Sequence, residues 1–295
     1  DLLLFANYNQ AAPNNSAGTI PLQARRPIPE FADITYAFNG GKSRYQALQM
    51  KYEWRADQGL TLLSSLTLSD AKDNGAGSLE NANGNFPAPQ DFYNMDADFG
   101  PSGYHQPYNS TTSVVWELPV GRGKRYGGNM SPALDALAGG WQLAGINTDN
   151  PGELDTFVYT PPAAFLVSGI AQDFRGANNY RPNVTGDPYA PEAEQNINNW
   201  FNRNAVTIPT DPSQPFGNAT RNSVHGPGFW QVDLAASKNV GLKGSSRLEF
   251  RIEAFNLLNR SNFRAPNGNR SQAGFGTITA TYDPRQLQLG AKFIW

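Results

Sequence analysis

Apolar residues recur at every second position in several stretches of this chain, the period that sends successive side chains to opposite faces of a β-strand. Over Arg44–Arg55 one face reads Leu48, Met50, Tyr52 and Trp54, and the other Ala47, Gln49, Lys51 and Glu53. Over Gly59–Ser69 Leu60, Leu62, Leu66 and Leu68 share a face opposite mostly Thr and Ser, and Tyr108–Leu118 ends Val114, Trp116, Leu118 against Asn109, Thr111, Ser113 and Glu117. Trp230, Val232, Leu234 and Ala236 form another row. Arg247–Phe255 splits most sharply, Leu248, Phe250, Ile252 and Ala254 against Arg247, Glu249, Arg251 and Glu253. The last ten residues set Leu287, Leu289, Ala291, Phe293 and Trp295 against Gln286, Gln288, Gly290 and Lys292. With the shorter Gly140–Asn147, the pattern predicts about seven strands of roughly 10 residues, the length that a tilted strand needs to cross a bilayer.

Alternation alone fits a soluble sandwich as well. Three further features favour a membrane wall. Aromatic residues gather near the predicted strand ends (Tyr52, Trp54, Tyr108, Trp116, Trp141, Trp230, Phe293, Trp295), where amphipathic rings settle at the water–lipid boundary. The polar faces carry charges of both signs, which a wet lumen tolerates and a packed core does not. Connections alternate between the tight turns Arg55–Gln58 and Val240–Ser245, or the medium one Val120–Gly139 with a short helix at Pro132–Leu137, and the long Asn/Gly/Pro-rich stretches Asp70–Gln106, Asn150–Gly228 and Asn256–Arg285. Outer-membrane barrels pair short periplasmic turns with long external loops, so the long stretches are placed outside. The N-terminal Asp1–Glu30 reads as a polar segment, with a further strand at Phe31–Phe38.

Composition adds exclusions. The 295 residues carry 23 Lys and Arg against 25 Asp and Glu, a net charge of −2 that gives no electrostatic ground for a nucleic-acid partner. Cysteine is absent, so disulfides and thiolate metal sites are excluded. No apolar run approaches the ~18–20 residues of a membrane-spanning helix.

Several stretches resemble the C-terminal barrel of TonB-dependent receptors, particularly the Oar-like group with a carboxypeptidase-regulatory-like N-terminal domain. They are Ser43-Arg-Tyr-Gln-Ala-Leu-Gln49 with Lys51-Tyr-Glu53, Trp116-Glu-Leu-Pro-Val-Gly-Arg-Gly-Lys124, Gly139-Gly-Trp-Gln-Leu-Ala-Gly145, Arg181-Pro-Asn183 with Gly186-Asp-Pro188, and Trp200-Phe-Asn202. The fullest is Glu253-Ala-Phe-Asn-Leu-Leu-Asn259, followed by Phe275-Gly276, Pro284-Arg-Gln286 and a closing strand ending in Trp295. The resemblance implies an all-β antiparallel barrel of about 22 strands, of which residues 1–295 are the C-terminal part, with external loops at about 70–106, 150–228 and 256–285. It implies a bacterial outer-membrane location and a ligand imported or sensed through the TonB energy-coupling system, acting on a plug and N-terminal domains outside this chain. The chain departs from the group at Gly103-Tyr-His-Gln-Pro107, where an Asp-x-Arg-His-Arg stretch is usual, and at Asn147–Asp155, which lacks the usual Ser-Gly-x-Pro-Phe.

Candidate chemistry is sparse. Glu249, Arg251 and Glu253, like Lys51 and Glu53, read as ion ladders facing the lumen rather than as acid–base pairs. Tyr180, Tyr189, Trp200 and Phe201 in the longest loop are candidate ligand-binding rings, to be weighed against packing of the loop on itself. Asp91, Asp96 and Asp98, with Asn94, are an oxygen-rich Ca²⁺ candidate without the closing Glu of an EF-hand. His105 and His225 lack the spacing of a transition-metal site. The resemblance assigns Phe293 and Trp295 to a terminal signal read by the barrel assembly machinery. The expectation is therefore a non-enzymatic transporter or receptor without cofactor, contacting outer-membrane lipid and an extracellular ligand; oligosaccharide, peptide or small protein, and siderophore all stay open. The alternatives are a passive porin or adhesin, and a secreted carbohydrate-binding β protein.

Overall fold

The computed structural model describes residues 2–13, 20–56, 59–75, 89–161, 180–242 and 246–295. In chain order the strands are β1 (Leu2–Asn7), β2 (Thr35–Gly41), β3 (Ser43–Ala56), β4 (Leu60–Asp73), β5 (Gly100–Pro101), β6 (Tyr108–Glu117), β7 (Trp141–Asn150), β8 (Leu154–Asp155), β9 (Asn183–Val184), β10 (Val206–Thr207), β11 (Val224–His225), β12 (Phe229–Gly241), β13 (Arg247–Phe255) and β14 (Gln286–Ile294). Two short α-helices, α1 (Leu22–Arg25) and α2 (Pro132–Ala138), and a 3₁₀ segment at Phe92–Asp98 complete the regular structure of the described residues. All seven long strands expected from the alternation are present. They form one antiparallel sheet in the order β14-β13-β12-β7-β6-β4-β3, with β5 beside the outer end of β4. Apart from that addition the sheet is a meander, left open at β3 and β14 among the described residues.

Register decides what the two faces become, because directly paired residues project to the same side. Leu48 pairs with Leu68, Met50 with Leu66 and Trp54 with Leu62. Leu60 and Leu62 pair in turn with Trp116 and Val114, and Trp116 with Leu143. Leu143 continues to Ala236, Ala236 to Ile252 and Ile252 to Leu289. One apolar face thus runs unbroken across seven strands. Leu48, Met50, Trp54, Trp116, Phe250, Ile252, Leu287, Leu289 and Phe293 on it are exposed, and among the described residues neither a second sheet nor a helix covers them. The aromatic strand ends Tyr52, Trp54, Tyr108, Trp116, Trp141, Trp230 and Phe293 all fall on this face. Its charged exception near the inner end is Lys238, paired with Trp141. The ammonium is 5.3 Å from the indole centroid and donates to the Gly139 carbonyl, so the charge leaves the apolar surface by snorkelling.

The opposite face holds the predicted ladders. Glu53 accepts from Arg55 at 2.5 Å with Lys51 at 3.6 Å, and Arg251 reaches Glu253 at 2.6 Å and Glu249 at 3.9 Å. Their exposure keeps the energetic worth of each pair small.

All three long connections, 74–107, 151–228 and 256–285, leave from the same end of the sheet, as expected; residues 76–88 and 162–179 of them lie outside the described residues. The tight turns expected at the other end, Arg55–Gln58 and Val240–Ser245, also fall partly outside them, at 57–58 and 243–245. The intervening connection holds α2, started where Ser131 Oγ accepts the Leu134 N–H at 3.3 Å ahead of Pro132.

The apolar core lies in the external connections, not in the wall. Phe157, Phe201, Val206, Ala219, Val224 and Phe275 are buried together, and Tyr159 and Tyr180 form a second cluster with Ile208 and Phe216. Gly276, at φ +79°, stands where an added Cβ would lie 3.1 Å from the backbone nitrogen of Phe201, so a side chain there would wedge the two loops apart. The N-terminal segment belongs to this cap. The run Leu2–Phe5, unassigned from sequence, lies in β1 and pairs with β2, which starts four residues after the expected Phe31. Gln10 accepts from the Phe92 N–H at 2.8 Å through Oε1 and from the Tyr93 hydroxyl at 2.8 Å through its carbonyl.

Asp155 in β8 is held among these loops. Burial pushes its carboxyl up to about 6, against the opposing pull of the Thr156 N–H, and one oxygen has no partner among the described residues. A raised folded pKa means that its contribution to stability is complete below the unfolded value near pH 4 and is lost as pH rises through 6. Asp155→Asn is therefore expected to flatten the pH dependence of cap melting between pH 4 and 7, and to stabilise the cap by about 1–2 kcal/mol at pH 8 after allowance for partial exposure. An unchanged melting profile across that range would count against the buried carboxyl.

Candidate functional site

The polar face meets the cap at a rim where four wall strands begin or end. β12 opens with Phe229, which pairs with Asn150 at the end of β7, and β13 closes with Phe255 opposite Gln286, the first residue of β14. By register all four side chains lie on the polar face, one step out of phase with Trp230, Ala254 and Leu287 on the apolar face. Two adjoining cavities occupy this rim. One, of about 300 Å³, is lined by Tyr104, His105, Asn150, Glu153, Phe229 and Tyr282 among others. The other, of about 320 Å³, includes Phe229, Gln231, Phe255, Arg264, Tyr282 and Gln286. Both sizes lie near the lower end of small-molecule sites, about 300–1,000 Å³.

The partition between the cavities is a braced cluster. Tyr282 meets Phe229 edge-on with centroids 5.0 Å apart, and the Arg264 guanidinium lies 3.8 Å above the Tyr282 ring. Glu153 Oε1 accepts from Arg264 Nη1 at 2.6 Å and from the Tyr282 hydroxyl at 2.8 Å, while Oε2 accepts the Ala265 N–H at 2.9 Å. Burial alone would raise the Glu153 pKa, but the Ala265 N–H, Arg264 and Tyr282 together outweigh it and hold the carboxyl below its ordinary value. Arg264 and Glu153 therefore stay a matched ion pair that fixes the loops after β7 and β13 against each other. His105 Nδ1 accepts the Ala71 N–H at 3.2 Å, and its centroid is 6.5 Å from that of His225. Burial lowers the His105 pKa, and the neighbouring His225 and Lys72 add to this against the opposing pull of Asp70, so its ring is neutral at pH 7.

The candidate ligand-binding rings of the longest loop lie elsewhere. Tyr180 is only 2% exposed and Phe201 1%, each in a core cluster of the cap. Trp200 packs on the same core and donates Nε1 to the His225 carbonyl at 2.9 Å; the Tyr189 hydroxyl accepts the His225 N–H at 2.8 Å. Of the two readings of these rings, the structure shows them packed within the loops, where they join Val206, Val224 and Phe275 in the cap core. The Ca²⁺ candidate does not assemble either. Asp91 caps a 3₁₀ turn at the Tyr93 N–H, Asp96 pairs with Lys42 at 2.7 Å, and Asp98 pairs with Arg181 at 2.5 Å. No cluster of three metal-binding side chains occurs among the described residues.

Phe229, Phe255, Glu153, Arg264 and Tyr282 were not singled out from sequence. The available signal was parity: Phe255 stands on the charged side of the strand that carries Glu249, Arg251 and Glu253, where an aromatic residue breaks the alternation. Glu153, Arg264 and Tyr282 lie in connections without periodicity, and their meeting has no local signature.

An apolar face open across seven strands, an ion-laced opposite face and long connections gathered at one end are the marks of an outer-membrane wall. Residues 1–288 match the family model described as an outer membrane beta barrel domain. No curated protein matches the chain. The match covers nearly all of the sequence, and the chain belongs to the outer membrane beta barrel domain family.

Proposed function

We propose that this outer-membrane chain serves TonB-dependent transport or reception of an extracellular ligand, as the wall and external cap around its entry, and that it is not an enzyme. The order of family-like motifs from Ser43 to Trp295 supports the TonB-dependent reading. The observation that carries it furthest is the rim: ligand-sized cavities on the polar face, walled by residues of β12, β13 and the loops folded over them. Such a site holds a solute at the point where it passes from the cap into the lumen. In this reading energy coupling reaches the barrel through a plug outside the chain, and exposed Phe293 and Trp295, whose centroids lie 5.9 Å apart, present the closing strand to the barrel assembly machinery.

The test compares depletion of a defined nutrient mixture by wild-type cells, cells lacking this gene and cells lacking TonB. A compound whose uptake disappears in both deletions is the expected result. Uptake that needs this gene but survives loss of TonB would leave a passive porin in its place.

A further inference from the structure

Aromatic rings on the wet side of a barrel wall need an explanation, since exposed apolar area costs about 25 cal/mol per Å². Tyr104, 63% exposed, lines the first rim cavity and Phe255, 41% exposed, the second, while Phe229 and Tyr282 line both. Between the rings stand amides. Gln231 donates Nε2 to Asp233 at 2.8 Å and Gln286 donates Nε2 to Asp283 at 3.2 Å, which turns the oxygen of each towards acceptor duty. Gln106 has its oxygen engaged by Asn109 at 3.1 Å, which leaves its NH₂ to donate. The charged pair of the rim, Arg264 and Glu153, is internally matched at 2.6 Å. Asp283, which lines the second cavity and accepts from Gln286, has no cation paired with it among the described residues, so the surface combines flat apolar faces and amide donors and acceptors with a single unmatched carboxylate and no free cation.

We propose that the rim binds a neutral oligosaccharide, its sugar rings laid on Phe255, Tyr282, Phe229 and Tyr104 and its hydroxyls bonded to Gln106, Gln231 and Gln286. A pyranose has the matching chemistry: an apolar C–H face for stacking, and hydroxyls around its edge that donate and accept at once. Two adjoining cavities suit linked rings better than a single one. An anionic ligand would find no unmatched cation here, and the Asp283 carboxylate can accept from sugar hydroxyls. The proposal rests on the reading of this chain as the entry of a ligand-handling barrel, and it names the class of ligand.

The test is calorimetry on the full-length protein in detergent with a panel of neutral α- and β-linked gluco-, galacto- and mannohexaoses. Polygalacturonate and hexa-alanine serve as the charged and peptide comparisons. At least one neutral hexaose is expected to bind, with Phe255→Ala weakening it tenfold or more and Gln231→Ala severalfold. Leu287→Ala, on the lipid face of the same rim, should leave binding unchanged. Unaltered migration of unheated samples in gel electrophoresis confirms that each variant barrel is folded. No binding across the neutral panel, tighter binding of either comparison, or affinity indifferent to Phe255→Ala would overturn the proposal. Binding in detergent needs no energy coupling. Saccharide binding without TonB-dependent uptake would therefore sink the transport reading alone, whereas TonB-dependent uptake of a peptide would sink this proposal alone.

Discussion

Replacing Arg181 with Leu is expected to destabilise the external cap by about 3–5 kcal/mol, because it strands a buried carboxylate. The Arg181 and Asp98 side chains are 4% and 6% exposed and bridge two external connections far apart in sequence. The guanidinium also donates to the Ala219 carbonyl at 2.8 Å and the Ala97 carbonyl at 3.1 Å, and the second Asp98 oxygen accepts the Gln90 N–H at 2.9 Å. Removing the cation leaves Asp98 with that single amide donor in a site without water access. The wall should persist, since its ladders share no residue with this pair. On intact cells Arg181→Leu should therefore open the external loops to protease while the barrel keeps its folded electrophoretic mobility. Adding Asp98→Asn should restore much of the protection, because the stranded charge is then gone. Equal protease resistance in Arg181→Leu and wild type would show that the pair does not tie the cap together.

The pair also shows which parts of this molecule are legible in sequence. A strand between lipid and water obeys one local rule, alternation, and every long strand could be placed from residues such as Leu48–Trp54 and Leu248–Ala254 without knowledge of its neighbours. The cap obeys no such rule. Arg181 meets Asp98 across 83 residues and Glu153 meets Arg264 across 111, so neither contact leaves a periodic trace. The recognisable motifs in those loops turn out to be scaffold. Asn256, at φ 50°, accepts the Arg260 N–H at 3.0 Å and donates to the Arg260 carbonyl at 2.9 Å, while Asn259 accepts the Arg285 N–H at 3.0 Å and so anchors the start of β14. Arg181, Phe201 and Phe275 hold the cap, and none of them lines the rim cavities. An aromatic ring in a polar loop has two readings, ligand contact or loop core, and sequence does not separate them; here Tyr180 and Phe201 join a core that Val206, Val224 and Ile208 help to complete. Phe229 and Phe255 are hidden for the opposite reason, standing one residue out of phase at the ends of strands whose other positions alternate, whereas Tyr104 and Tyr282 lie in connections without periodicity.

Parity along a single strand yields the second large effect. Ile252→Arg is expected to destabilise the barrel by about 2–4 kcal/mol, because it places a cation on the lipid face near the middle of β13. Arg251, one position earlier, is accommodated because it projects the other way, between Glu249 and Glu253. The decisive comparison is Gln288→Arg. Position 288 pairs with Glu253, whereas Leu289 pairs with Ile252, so the same new charge on the polar face meets a carboxylate and water and should cost less than about 1 kcal/mol. Urea titration of the full-length protein folded into phosphatidylcholine vesicles reads both. Lengthening the vesicle acyl chains, which sinks position 252 further from either interface, should widen the gap between the two variants. Equal costs for Ile252→Arg and Gln288→Arg would mean that the apolar rows do not face hydrocarbon, and the membrane wall built on them would have to be abandoned.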